Sequence, residues 1–110
     1  MCFSATLISL LALVSATHAF VMIQTCNGAN TGSPCVNWQG NLPSACFNLA
    51  DMGQDNIVSS VTLSLDVACT LYTDSGCTGS FINVKQTFLN LADVGFDNVV
   101  SSFKCVSTIQ

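Results

Sequence analysis

Residues 48–62 read NLADMGQDNIVSSVT and residues 90–104 read NLADVGFDNVVSSFK. The two segments start 42 residues apart, and ten of their fifteen positions are identical. A repeat at this period marks one supersecondary unit used twice. Its shared centre is Asp-Asn, two aliphatics, then Ser-Ser. Carboxylate, amide and hydroxyl oxygens in a turn that runs straight into a strand point to a cation site, and the repeat points to two.

The repeats sit in strand-like surroundings. Val61, Leu63 and Leu65 alternate with Ser60, Thr62 and Ser64. Cys69 and Leu71 alternate with Thr70 and Tyr72, and Phe103 and Cys105 with Ser102 and Lys104. Period-two alternation of this kind predicts half-buried strands. Turn signals fall between the runs at Asn27-Gly28, Thr31-Gly32-Ser33-Pro34, Gln39-Gly40-Asn41, Asp74-Ser75-Gly76, Gly79 and Gly95. No window of ten residues carries apolar positions at helical spacing. The fold class is therefore all-β, a sandwich or barrel. The NLAD(M/V)G segments read as a turn or one helical turn before the last strand of each unit. One unit of about 40 residues cannot bury both faces of its own sheet, whereas two units cover one another. The reading is one domain over residues 20–110, with halves 20–65 and 66–110 joined near Leu65-Asp66-Val67.

Residues 1–19 read as a secretory leader. The apolar run Leu7–Val14 has the length of a signal core, and Thr17-His18-Ala19 offers small residues at the cleavage positions. The run falls short of the ~20 residues a membrane span needs. The expected product is secreted and soluble. Residues 20–110 retain six cysteines: Cys26, Cys35, Cys46, Cys69, Cys77 and Cys105. An even number in a small secreted chain implies three disulfides. Zinc would want close Cys-x-x-Cys pairs, and the chain contains none. Alternation places Cys69 and Cys105 on the inward face of the second half. The first and last strands of a Greek key lie side by side, so these two are expected to pair. The other four leave three pairings open.

Charge narrows the chemistry further. Residues 20–110 hold six Asp (51, 55, 66, 74, 93, 97), two Lys (85, 104), and no Glu, Arg or His. Triads with Ser-His-Asp or Cys-His chemistry and His-ligated metals are thereby excluded within these residues. Net acidity argues against nucleic acid and anionic lipid as partners. There is no Asn-x-Ser/Thr sequon. Without a recognisable acid–base pair the chain is not expected to be an enzyme.

The second half resembles a βγ-crystallin Greek-key motif over nearly its whole length. Tyr72-Thr-Asp-Ser-Gly-Cys77-Thr-Gly79 fits that family's folded hairpin, with Cys77 where an aromatic is usual. Asp97-Asn98-Val99-Val100-Ser101-Ser102 and Asp55-Asn56-Ile57-Val58-Ser59-Ser60 both fit its calcium signature. The first hairpin is degenerate: Cys26 stands for the tyrosine, Thr31 for the second aromatic and Ser33 for the glycine. The six cysteines depart from lens crystallins and resemble small secreted microbial members, fungal ones in particular. The resemblance implies two Greek-key motifs forming one βγ-crystallin-like sandwich. It also implies calcium as the ligand. Each site would take side-chain oxygens from Asp55-Asn56 or Asp97-Asn98, the carbonyl of Ile57 or Val99, and the hydroxyl of Ser59 or Ser101. A further carbonyl would come from a hairpin, near Thr73-Asp74 in one half and Cys26-Asn27 in the other. Calcium accepts such mixed oxygen sets at ~2.3–2.6 Å, and an EF-hand is excluded because its closing Glu does not exist here. Ser60 and Ser102 are expected to brace the hairpins. Trp38, Tyr72, Phe81, Phe88 and Phe96 are expected to pack in or at the edge of the core, and Asp51 and Asp93 to be solvated turn residues or helix N-terminal charges.

The leading function is that of a secreted, disulfide-stabilised, monomeric calcium-binding protein with a binding or structural role. Two alternatives follow from the resemblance. One is a toxin or effector acting on a protein target of another organism, since some family members are killer toxins. The other is protease inhibition, as in one microbial branch. The acidic charge argues against membrane insertion by a cationic lytic mode.

Overall fold

The computed structural model describes residues 20–109. The expected secretory leader, residues 1–19, lies outside them. The strands are β1 (Phe20–Gly28), β2 (Gly32–Gly40), β3 (Phe47–Asn48), β4 (Ser60–Leu63), β5 (Val67–Asp74), β6 (Thr78–Val84), β7 (Phe88–Asn90) and β8 (Ser102–Ser107). Two antiparallel sheets of four strands form, in the orders β2-β1-β4-β7 and β3-β8-β5-β6.

Each sheet borrows its fourth strand from the other half. β3 belongs to the first half but pairs with β8, opposing Phe47 to Phe103 and Asn48 to Ser102. β7 belongs to the second half but pairs with β4, opposing Ser60 to Asn90 and Val61 to Leu89. The halves are therefore interlocked by main-chain hydrogen bonds as well as by the core. The repeat segments perform this exchange. In each, a short strand leads into a 3-10 turn, Leu49–Met52 or Leu91–Val94. The turn ends at a glycine, Gly53 or Gly95, with φ of 73° or 77°. A side chain at that left-handed position would be strained. The N–H of each glycine closes the turn on the carbonyls of its first two residues.

The core lies between the sheets. Leu49 and Leu91, at the start of the two 3-10 turns, are fully buried, as are Ile23, Leu71, Val84 and Phe103. Burying one such side chain stabilises by about 1.5–3 kcal/mol. Trp38, Phe47 and Phe103 form an aromatic cluster with ring centroids 5.2–5.7 Å apart. Leu65 departs from the alternation that places it inward. Strand β4 ends at Leu63, and Leu65 is 79% exposed at the join of the halves. Phe81 and Phe88 are exposed rather than packed in the core, whereas Tyr72 and Phe96 are half-buried and Trp38 is buried.

Three disulfides join Cys26 to Cys35, Cys46 to Cys77, and Cys69 to Cys105. Cys69 and Cys105 are opposed on β5 and β8. Cys26 and Cys35 are opposed on β1 and β2, the register held in the second half by the aromatic pair Tyr72 and Phe81. Cys46–Cys77 ties the loop after β2 to the hairpin of the other half.

Candidate metal centre

The folded hairpins position the site. In each half the turn between the first two strands folds back over the sheet, and the second Ser of the repeat holds it there. The Ser60 hydroxyl donates to the Gly28 carbonyl at 2.7 Å and accepts from the Thr31 N–H. The Ser102 hydroxyl donates to the Asp74 carbonyl at 2.5 Å and accepts from the Cys77 N–H. Both serines have no exposed surface. They lie on the outer face of their strands, where alternation predicts exposure, and the hairpin covers them. Thr31 and Cys77 occupy equivalent turn positions with φ of 61° and 57°.

A second brace crosses between halves. Asn48 Oδ1 accepts from the Gly76 N–H, and Asn90 Oδ1 from the Asn30 N–H, both at 2.8 Å. Each Asn is the first residue of a repeat, and each holds the other half's hairpin. Neither Asn is marked as a site residue by its type; the signal that marks them is their identity in the two repeats.

The Asp-Asn pairs cross in the same way. Asn56 and Asn98 adopt left-handed conformations, φ 59° and 61°, a region asparagine tolerates better than most residues. The Asn56 N–H donates to the Val100 carbonyl and the Asn98 N–H to the Val58 carbonyl, both at 3.1 Å. The Ser101 hydroxyl meets Asn56 Oδ1 at 3.1 Å, and the Ser59 hydroxyl meets Asn98 Oδ1 at 3.4 Å. The Ser101 N–H bonds the Tyr72 carbonyl, and the Ser59 N–H the Cys26 carbonyl. One group thus gathers Asp55 and Asn56 from the first half with Ser101 and the Tyr72–Asp74 hairpin from the second. The other gathers Asp97 and Asn98 with Ser59 and the Cys26–Asn27 hairpin. Each Asp-Asn pair thus meets the serine of the other repeat, a choice that the residue pattern leaves open. Within one repeat the chain extends from Asn to Ser into a strand, and the interlock brings up the partner repeat instead.

Asp55, Asn56, Ile57, Asp97, Asn98, Val99 and Asp74 are exposed, Ser59, Asn27 and Thr73 half-buried, and Ser101 buried. Besides the contacts inside each group, two of these side chains are engaged elsewhere in the protein. Asn27 Oδ1 accepts from Gln54, and Thr73 Oγ1 accepts from the Ser80 N–H. At Asn27 and Thr73 the oxygen left for a cation is the main-chain carbonyl. Among the described residues no three His, Cys, Asp or Glu side chains converge. A cation here would therefore be held by carboxylate, amide, hydroxyl and main-chain oxygens together. That donor set suits a hard cation such as calcium and not a thiolate- or imidazole-seeking metal. Ligand oxygens around one calcium are spaced roughly 3 Å apart, close to the Asn–Ser separations of 3.1 and 3.4 Å.

No family model matches the chain, and no curated protein matches it significantly. Solved structures do. The N-terminal domain of Protein S is 26% identical, with a TM-score of 0.66 over 81% of this chain and 99% of that one. A βγ-crystallin from Ciona intestinalis is 20% identical, with a TM-score of 0.62 over 74% and 95%. A βγ-crystallin domain from Clostridium beijerinckii is 14% identical, with a TM-score of 0.65 over 79% and 99%.

Proposed function

We propose that this chain, which has the βγ-crystallin fold, is a secreted calcium-binding protein without enzymatic activity, acting as a monomer. The observation that carries the reading is the crossed convergence of both repeats, Asn56 on Ser101 and Asn98 on Ser59. Asp55 and Asp97 would supply the charge. Asn56, Asn98, Ser59 and Ser101 would supply side-chain oxygens, and Ile57, Val99, Asn27 and Thr73 main-chain carbonyls. Calcium would act as a cross-link between the halves, since each group draws on both. Two repeats of the family's calcium signature support the same ligand.

Secretion is supported by the leader-like residues 1–19 and by three disulfides, which persist in oxidising compartments. A non-enzymatic role is supported by residues 20–110, which offer Asp and Lys but no His, Glu or Arg for acid–base work. The same acidity supports the absence of nucleic acid and inserted membrane from its partners.

A thermal melt at pH 7 with and without calcium tests the reading. A ligand that binds only the folded state, at a hundredfold excess over its Kd, adds ~2.7 kcal/mol per site. In a domain of this size that moves the midpoint by roughly 10–20 °C. Chelator should return the midpoint to its starting value and leave the fold intact. No shift at millimolar calcium, with no heat in calorimetric titration, would leave the Asp-Asn-x-x-Ser-Ser segments as turn chemistry.

A further inference from the structure

The repeat leaves one buried residue unexplained. Gln54 precedes Asp55-Asn56, and its counterpart before Asp97-Asn98 is Phe96. Gln54 is 3% exposed. Burying a carboxamide is costly unless its donors and acceptors are met, and here they are met by one strand. Gln54 Nε2 donates to the Thr25 carbonyl and to Asn27 Oδ1, both at 3.0 Å. Gln54 Oε1 accepts from the Thr25 hydroxyl at 2.5 Å. The Thr25 oxygen accepts in turn from Trp38 Nε1 at 2.8 Å. A buried polar chain thus runs from Trp38 through Thr25 and Gln54 to Asn27.

Gln54 and Asn27 adjoin different cation groups. Asn27 lies in the hairpin that adjoins Ser59 and Asn98. The main chain of Gln54 continues directly into Asp55 and Asn56, which adjoin Ser101. Phe96, half-buried against the core, offers no polar link of this kind from Asp97-Asn98 to the hairpin at Thr73. The bridge exists on one side only.

We infer that Gln54 is a positioning residue that couples the two cation groups, so that filling one raises the affinity of the other. The inference rests on the calcium reading above. A cation held by Asp55, Asn56 and Ser101 restrains the loop that begins at Gln54. Gln54 passes that restraint to Asn27, and the second cation then meets a hairpin already ordered. Binding that rigidifies a shared element favours the next ligand without a change of shape, and the coupling must be reciprocal.

The test is a calcium titration of the purified, disulfide-bonded protein, followed at the main-chain amide resonances of Ser59 and Ser101, one in each group. The expected result is that occupation of one group tightens the other by about fivefold or more, and that Trp38 emission responds to calcium. In Gln54→Leu both groups should still bind, the coupling should fall to about onefold, and the Trp38 response should be lost. Phe96 at the matching position indicates that the turn accepts an apolar residue. Asn27→Ala, which leaves Gln54 and the main-chain carbonyl in place, breaks the far end of the same link and should also abolish coupling. Independent filling in the unaltered protein would overturn the inference and leave calcium binding standing. So would a Gln54→Leu protein that binds more weakly at both groups with coupling intact, which would mark a merely structural residue. If neither amide moves at millimolar calcium, the calcium reading fails and the coupling fails with it.

Discussion

Asn56 and Ser101 are 45 residues apart in sequence, yet the Ser101 hydroxyl donates to Asn56 Oδ1 at 3.1 Å. The same relation joins Ser59 to Asn98 across 39 residues. Each candidate cation group is thus shared between two halves that the sequence presents as separate copies.

That sharing predicts which substitutions interact. Asn56→Gly keeps the left-handed backbone at φ 59° but removes the amide oxygen. Without calcium it should cost no more stability than Ser101→Ala, because it breaks the same hydrogen bond and glycine suits the left-handed position, and it should weaken one calcium site. Combined with Ser101→Ala it should weaken that site little more than either change alone. Combined with Ser59→Ala the losses should add, because those residues serve different groups. Calorimetric titration of the five proteins reads the pattern. Additivity in the Asn56–Ser101 pair would contradict the crossed assignment.

The adjacent serines should separate by role. Ser102→Ala strands the Cys77 N–H and the Asp74 carbonyl inside the folded hairpin. Leaving buried polar groups unpaired costs ~1–3 kcal/mol, so about 2 kcal/mol of stability should be lost, with or without calcium. Ser60→Ala should cost a similar amount through Gly28 and Thr31. Ser101→Ala, whose partner Asn56 is exposed, should cost about 0.5–1 kcal/mol without calcium. Urea denaturation in chelator distinguishes these.

One buried side-chain oxygen among the described residues has no partner: Thr62 Oγ1, on β4 opposite Phe88. Thr62→Val removes that hydroxyl at nearly constant shape. It should stabilise the protein by ~1 kcal/mol, which corresponds to roughly 4–8 °C in melting midpoint. A lower midpoint would mean that water satisfies the hydroxyl.

Cys46–Cys77 is the one disulfide of the three that joins the two halves, and it should hold them in register. It closes a segment of 31 residues. Cys26–Cys35 closes only nine, within one hairpin. Loop-closure entropy assigns about 3–4 kcal/mol to a bond of the longer span. Replacing both Cys46 and Cys77 with Ser should cost that much, and replacing Cys26 and Cys35 less. Peptide mapping without reduction should return the three pairs. A peptide linking Cys46 to Cys26 or Cys35 would rule this arrangement out.

Much of this architecture is legible before any coordinates. Ten identities at a period of 42 residues announce two copies of one unit. Alternation at Cys69-Leu71 and Phe103-Cys105 places two cysteines on one inward face, where the disulfide joins them. Local chemistry also names Asn56 and Asn98 as turn residues, and the family resemblance implies that Ser60 and Ser102 brace the hairpins. Alternation fails at Leu65, because a strand's end is set by what pairs with it and β4 loses its register partners after Leu63. It fails differently at Ser60 and Ser102, outward on their strands but roofed by a hairpin that folds back over them.

Sequence alone determined the local unit: its strands, its turns, and the oxygen donors each repeat carries. Tertiary structure alone decided which donors meet. Two repeats with the same donors in the same order contain no information on whether each closes on itself or on its copy, since either pairing satisfies the same local rules. That choice is made when β3 and β7 exchange sheets, because the exchange lets both sheets bury their inner faces in one core and satisfies the edge hydrogen bonds of both. Asn48 then reaches Gly76, and Asn56 reaches Ser101. Neither of these contacts is specified by the residues on either side of it in the chain.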